Sequence, residues 1–82
     1  MTRAEILAKI HDVMIDVLDL DELHITEKTT ASDVDGWDSL SHLRLITETE
    51  AAFNVTFTTG EIERFENVGD MVAAIETKLQ NR

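Results

Sequence analysis

The sequence predicts an all-α protein: a small four-helix bundle of three longer helices and one short one, with a long loop between helices 1 and 2. Three observations carry that prediction. Apolar residues recur at spacings of three and four in three separate stretches, which is the helical period. Proline is absent from all 82 residues, so nothing interrupts long helices. The β-branched run Asn54-Val-Thr-Phe-Thr-Thr-Gly60 has no evident partner strand, so a sheet is not expected. Residues 1–82 read as a single domain.

The first helix is expected over residues 3–18. Thr2 followed three residues later by Glu5 fits a capping box, and Ile6, Leu7, Ile10, Val13, Met14, Val17 and Leu18 form one apolar stripe. Glu5, Lys9, Asp12 and Asp16 lie off that stripe, and His11 is expected at the surface with them. From Asp19 to Trp37 no period is sustained. A loop of about 19 residues is longer than compact domains usually carry without structure. Leu20, Leu23 and Ile25 are therefore expected to pin it to the core, and His24 to sit on its surface.

Asp35-Gly36 is a turn signal, because glycine accepts positive φ without steric cost. Asp38 follows as the N-cap of a helix over residues 39–53, with Trp37 plugging the loop against it. Leu40, Leu43, Leu45, Ile46, Ala52 and Phe53 give this second helix a broad apolar face, expected to touch more than one neighbour. Ser39 falls at its first turn. The hydroxyl should point outward beside the positive end of the helix dipole, a place that favours an attached phosphate group. Residues 54–60 read as an extended loop with Val55 and Phe57 turned inward, and 61–65 as a short third helix. Asn67 caps the last helix, with Asp70 at its third position and Val68, Met71, Val72, Ile75 and Leu79 on its apolar face. Residues 80–82 are expected to fray.

Composition narrows the function. Seventeen acidic residues stand against seven basic ones, a net charge of −10. That argues against nucleic acid and anionic lipid as partners and suits docking to basic protein surfaces. There is no cysteine, so any thiol chemistry must use a borrowed thiol. The first residues lack the apolar run of a signal peptide and no stretch approaches a membrane span, so a cytoplasmic protein is expected.

Gly36-Trp37-Asp38-Ser39-Leu40, the helix to Phe53, and Phe65-Glu-Asn-Val-Gly-Asp-Met71 before a last helix resemble the acyl carrier protein family. Asp38-Ser39-Leu40 is similar to that family's Asp-Ser-Leu signature, and the likeness runs in order through nearly the whole chain. The resemblance implies that Ser39 carries a 4′-phosphopantetheine arm through a phosphodiester. A phosphopantetheinyl transferase would place it there from coenzyme A. It further implies a carrier and not an enzyme. Thioesters on the arm would be delivered to acyl- or aminoacyl-loading and processing enzymes, the carrier being a monomer whose second helix borders an acyl-chain cavity. Asp38, Leu40, Arg44, Glu48 and Glu50 are the candidate docking residues on that helix. Arg44 stands where fatty-acid carriers often have Glu, and Ser41 where they often have Asp. A reversed charge would penalise a basic partner, which points to a specialised fatty-acid, polyketide or nonribosomal-peptide pathway.

Two readings compete. A small acidic helical adaptor without an arm explains the charge and the bundle, but not a Ser39 set at a helix start after a long anchored loop. A hydrolase using Ser39 and His42 lacks a third group to hold the base, an oxyanion hole and any Gly-x-Ser-x-Gly motif; His42 reads as a helix-edge histidine on the Ile46 and Phe53 side. Calcium binding by Asp33, Asp35 and Asp38 fails the EF-hand pattern, because position six would be Asp38 in place of Gly and position twelve Arg44 in place of Glu. No metal is expected.

Overall fold

In a computed structural model, described over residues 1–81, the elements follow in the order α1 (Arg3–Leu18), a 3-10 turn (Ala31–Asp33), α2 (Ser39–Phe53), α3 (Thr59–Arg64) and α4 (Val68–Gln80), with no strand among the described residues. The fold is all-α with three longer helices and one short one, as the periodicity predicts.

Each helix starts at a side chain that satisfies backbone N–H groups otherwise left open. Thr2 and Glu5 form the expected capping box on α1, Asp38 caps α2, and Asn67 accepts from Asp70 N on α4. The third helix differs from the expectation of 61–65. It starts at Thr59 because Thr58 and Glu61 make a capping box there, and it ends at Arg64 with Phe65 already extended. α1 and α2 end at Asp19 and Asn54, both left-handed, with φ of 53° and 54°. Gln80 closes α4 and Asn81 N donates back to Thr77 O, so the expected fraying does not reach these two residues; Arg82 lies outside the described residues.

α1 packs against both α2 and α4. The core is built from Ile6, Ile10 and Met14 of α1, Leu45, Ile46 and Phe53 of α2, and Val68, Met71, Val72 and Ile75 of α4. Val34 and Trp37 enter it from the long loop. Phe57 is buried, Val55 is half-buried, and the Phe57 ring meets Phe65 edge-on at 5.3 Å between centroids. Leu40 and Leu43 depart from the expected broad apolar face of α2. They are 79% and 58% exposed, and the buried stripe is Leu45, Ile46, Thr49 and Phe53. The cause is geometric: that stripe, spaced +1, +3, +4, already covers the side facing α1, with Leu40 on the opposite side and Leu43 on the flank.

The long loop is held in two ways. Leu20, Leu23 and Ile25 pack on the core as expected. In addition, two loop carbonyls take the first N–H groups of α4: Val68 N donates to Thr29 O at 2.8 Å and Gly69 N to Glu27 O at 2.7 Å. A Cβ at Gly69 would stand 2.7 Å from Glu27 O, so this approach requires glycine. The Glu27 carboxylate pairs with Arg3, which also reaches Glu76 at 2.9 Å, so loop, α1 and α4 share one guanidinium. His11 corrects a surface expectation. It is half-buried, and its Nε2 lies 2.7 Å from Leu23 O, a further tie between α1 and the loop. His24 is exposed and meets Glu22 at 3.0 Å.

Candidate functional site

The loop delivers the chain to α2 through a turn at Gly36, whose φ is +84°. Trp37, the next residue, is 8% exposed, so it plugs the loop against the helix as expected. Asp38 then turns its carboxylate back onto the helix start, where Oδ1 accepts from Leu40 N and Ser41 N, both at 3.0 Å. These bonds, the one from Ser41 N foremost, hold the Asp38 carboxyl below its ordinary range, so it is ionised at neutral pH.

Two serines lie in this first turn, and the structure separates their roles. Ser41 is fully engaged: its Oγ accepts from Asp38 N at 2.8 Å and donates to Gly36 O at 2.6 Å, completing a capping box with Asp38. Ser39 is exposed and its hydroxyl has no hydrogen-bond partner among the described residues. A free hydroxyl at the first helical position, beside a helix start whose next N–H groups are taken by the ionised Asp38 cap, is accessible to group transfer. Such a position suits a phosphodiester, whose charge faces the positive end of the helix.

Ser39 borders an open cleft of about 290 Å³. Trp37, Asp38 and His42 line it from the start of α2, and Phe65 and Glu66 from the segment between α3 and α4. His42 is half-buried, and its Nδ1 accepts from Trp37 Nε1 at 3.0 Å, with the two rings stacked at 6.0 Å. Burial lowers the His42 pKa below its ordinary value of 6.5, so the ring is neutral at pH 7. Ser39 and His42 share no hydrogen bond, and the ring nitrogen a base would need is given to Trp37.

The candidate docking residues are placed as follows. Leu40, Arg44 and Glu48 are exposed along one side of α2, and a shallow depression runs past Leu43, Arg44, Thr47 and Glu48. Arg44 has no ion-pair partner among the described residues. Asp38 is committed to the cap. Glu50 is half-buried, and its Oε2 accepts from Phe57 N at 2.8 Å, so it holds the loop between α2 and α3. Among the described residues, no group of three or more His, Cys, Asp or Glu side chains is placed to hold a metal ion.

Sequence reasoning missed three features of this site. Ser41 was legible as the third helical position after an Asp cap, a capping box with Ser in place of Glu. The Trp37–His42 bond spans a turn and a helix start, and no periodicity signals it. Phe65 and Glu66 reach the cleft only through the packing of the α3–α4 segment.

Residues 8–75 match the family described as phosphopantetheine attachment site. An acyl carrier protein of Thermotoga maritima is 35% identical over 78 residues, covering 95% of this chain and 96% of its own. One from Phytoplasma australiense is 39% identical over 74 residues, covering 90% and 97%. The solution structure of holo acyl carrier protein from Geobacter metallireducens superposes with a TM-score of 0.84 at 36% identity, over 92% of this chain and 86% of that one.

Proposed function

The chain belongs to the acyl carrier protein family, and from that membership we propose that Ser39 is the residue on which it carries its 4′-phosphopantetheine arm. The protein is a carrier and not an enzyme. The single observation that supports Ser39 is its free, exposed hydroxyl at the first position of α2, next to a Ser41 whose hydroxyl is spent on the cap. In the transfer, Ser39 Oγ attacks the phosphorus of coenzyme A that bears the pantetheine. The bond from that phosphorus to the bridging oxygen breaks, 3′,5′-ADP leaves, and the serine proton passes to a base on the transferase. The arm, when present, supplies the thiol that this cysteine-free chain lacks.

The residues present fit that group. Asp38 and Ser41 hold the helix start rigid, Trp37 closes the loop behind it, and the cleft leaves room beside Oγ. Leu40, Arg44 and Glu48 form the face offered to the transferase and to the acyl- or aminoacyl-processing enzymes. Glu50 and Asp38 contribute to that face chiefly by holding its two ends. Arg44, exposed and without an ion-pair partner among the described residues, favours partners with an acidic residue opposite it, which supports a specialised fatty-acid, polyketide or nonribosomal-peptide pathway in the cytoplasm. Rapid elongation of the loaded protein by a primary fatty-acid ketosynthase, at the rate of that enzyme's own carrier, would defeat the pathway assignment.

The deciding experiment is intact mass after incubation with coenzyme A and a broad-specificity phosphopantetheinyl transferase. The wild type is expected to gain one arm and Ser39→Ala none, with both equally helical by circular dichroism. Ser41→Ala is expected to load while losing about 1 kcal/mol of stability from its cap bonds. Loading of Ser39→Ala would move the attachment site, and no gain on the folded wild type would favour the adaptor without an arm.

A further inference from the structure

The cleft beside Ser39 holds a histidine whose tautomer is set by its neighbour. An indole N–H is a donor only. Since Trp37 Nε1 donates to His42 Nδ1 at 3.0 Å, that nitrogen carries the lone pair and the ring proton sits on Nε2. The Nε2–H has no partner among the described residues and is the ring donor left for the cleft that the imidazole lines. The rest of the lining sharpens this. Its charged members are Asp38 and Glu66, both acceptors, and no Lys or Arg is among the lining residues. The Trp37 donor is taken, and the Ser39 oxygen becomes an ester on loading.

We infer that His42 is a positioning residue whose Nε2–H donates to a phosphodiester oxygen of the group carried on Ser39, with Trp37 fixing the tautomer that makes this possible. The inference rests on the carrier reading. Ser39 and His42 stand three apart on α2, so their Cβ atoms are about 5–6 Å apart, and a phosphate on Oγ comes within reach of the ring. A hydrogen bond to an anionic oxygen is stronger than one between neutral groups. The carboxylates of Asp38 and Glu66 repel the phosphate and leave His42 as its side-chain donor in the cleft. The outcome is a fixed starting direction for the arm, set by residues outside the Asp-Ser-Leu triplet.

The test begins with the wild type alone, so it does not depend on any variant folding. Protein is loaded with phosphopantetheine and checked by intact mass, and the phosphodiester ³¹P shift and the His42 ring signals are followed from pH 5 to 8. The ³¹P signal is expected to titrate with the midpoint of His42, and that midpoint to rise on loading, because the phosphate favours the imidazolium against the same Asp38 and Glu66 background. In His42→Ala the ³¹P shift is expected to be displaced and flat with pH. In His42→Gln, which keeps an amide donor near the Nε2 place, it is expected to be flat but close to the neutral wild-type value. Trp37→Phe is expected to lose the single tautomer, seen as averaging of the two ring ¹⁵N shifts. A ³¹P signal independent of pH in the loaded wild type, with an unmoved His42 midpoint, overturns the inference while leaving the carrier reading intact. Absence of the mass gain defeats the carrier reading itself, and is seen before any spectrum is taken.

Discussion

Ser39 and Ser41 show how two identical side chains in one helical turn take opposite roles. Ser41 is drawn inward because Asp38 N and Gly36 O both lie within reach of its hydroxyl. Ser39, two positions earlier, rotates away from those groups and stays free. Thr49 presents the reverse case, a hydroxyl placed where it gains nothing. It is fully buried on α2 and its Oγ1 has no hydrogen-bond partner among the described residues, whereas Thr47 on the same helix donates to Leu43 O at 3.0 Å. A buried hydroxyl without a partner costs on the order of 1–3 kcal/mol. Thr49→Val keeps the shape and removes the polar atom, so urea unfolding should show a gain of about 1 kcal/mol. A loss of similar size would mean that the hydroxyl finds a partner in the folded protein.

Among the elements, the loop from Asp19 to Asp38 decides where Ser39 stands. Its apolar anchors hold it down, but its register against α4 is set by main chain: Thr29 O and Glu27 O serve as the acceptors for the first turn of α4. Those acceptors do for α4 what a cap side chain does elsewhere. Gly69 is the condition for it, since a methyl group at that position would meet Glu27 O at 2.7 Å. Gly69→Ala should therefore destabilise the protein by about 1–3 kcal/mol despite the better helix propensity of alanine. Amide exchange should quicken at Val68 and at residue 69 before it does in α1. Unchanged stability would show that loop and helix can part at no cost.

For the whole molecule, the controlling quantity is charge. At −10 the chain repels itself, and its favourable local electrostatics are arranged around a few points: Arg3 with Glu27 and Glu76, and Lys78 with Glu61. Glu5, Glu27, Asp38 and Glu61 are all held below their ordinary pKa by hydrogen bonds, foremost from the Thr2 backbone, the Arg3 side chain, the Ser41 backbone and the Thr58 backbone respectively. A carboxyl with a lowered folded pKa stabilises above its unfolded value, and that stability is lost as pH falls through the folded one. His42 has the same sign by another route. Burial lowers its pKa, so between the folded value and 6.5 the unfolded chain binds more protons, and stability falls with pH there. The urea midpoint should thus begin to drop below pH 6.5, ahead of the carboxylate range, and Trp37 fluorescence should change with it because imidazolium cannot accept from the indole. In His42→Gln the early drop should vanish and the carboxylate drop remain. A wild-type midpoint flat down to pH 5 would contradict the assignment.

Local chemistry was enough for much of this protein. The three long helices follow from apolar periodicity, their starts at Thr2, Asp38 and Asn67 from short side chains that satisfy open N–H groups, and the position of Ser39 from the turn and cap before it. All of these are interactions between residues within about four positions, so they are written in the sequence. The exposure of Leu40 and Leu43, the engagement of Glu50 by Phe57 N, the pairing of His42 with Trp37 and the far wall of the cleft at Phe65 and Glu66 are of another kind. Each depends on which face of a helix a neighbour covers or on how a loop returns to a helix. Side chains distant in sequence, and the backbone between them, settle those questions only when the helices pack.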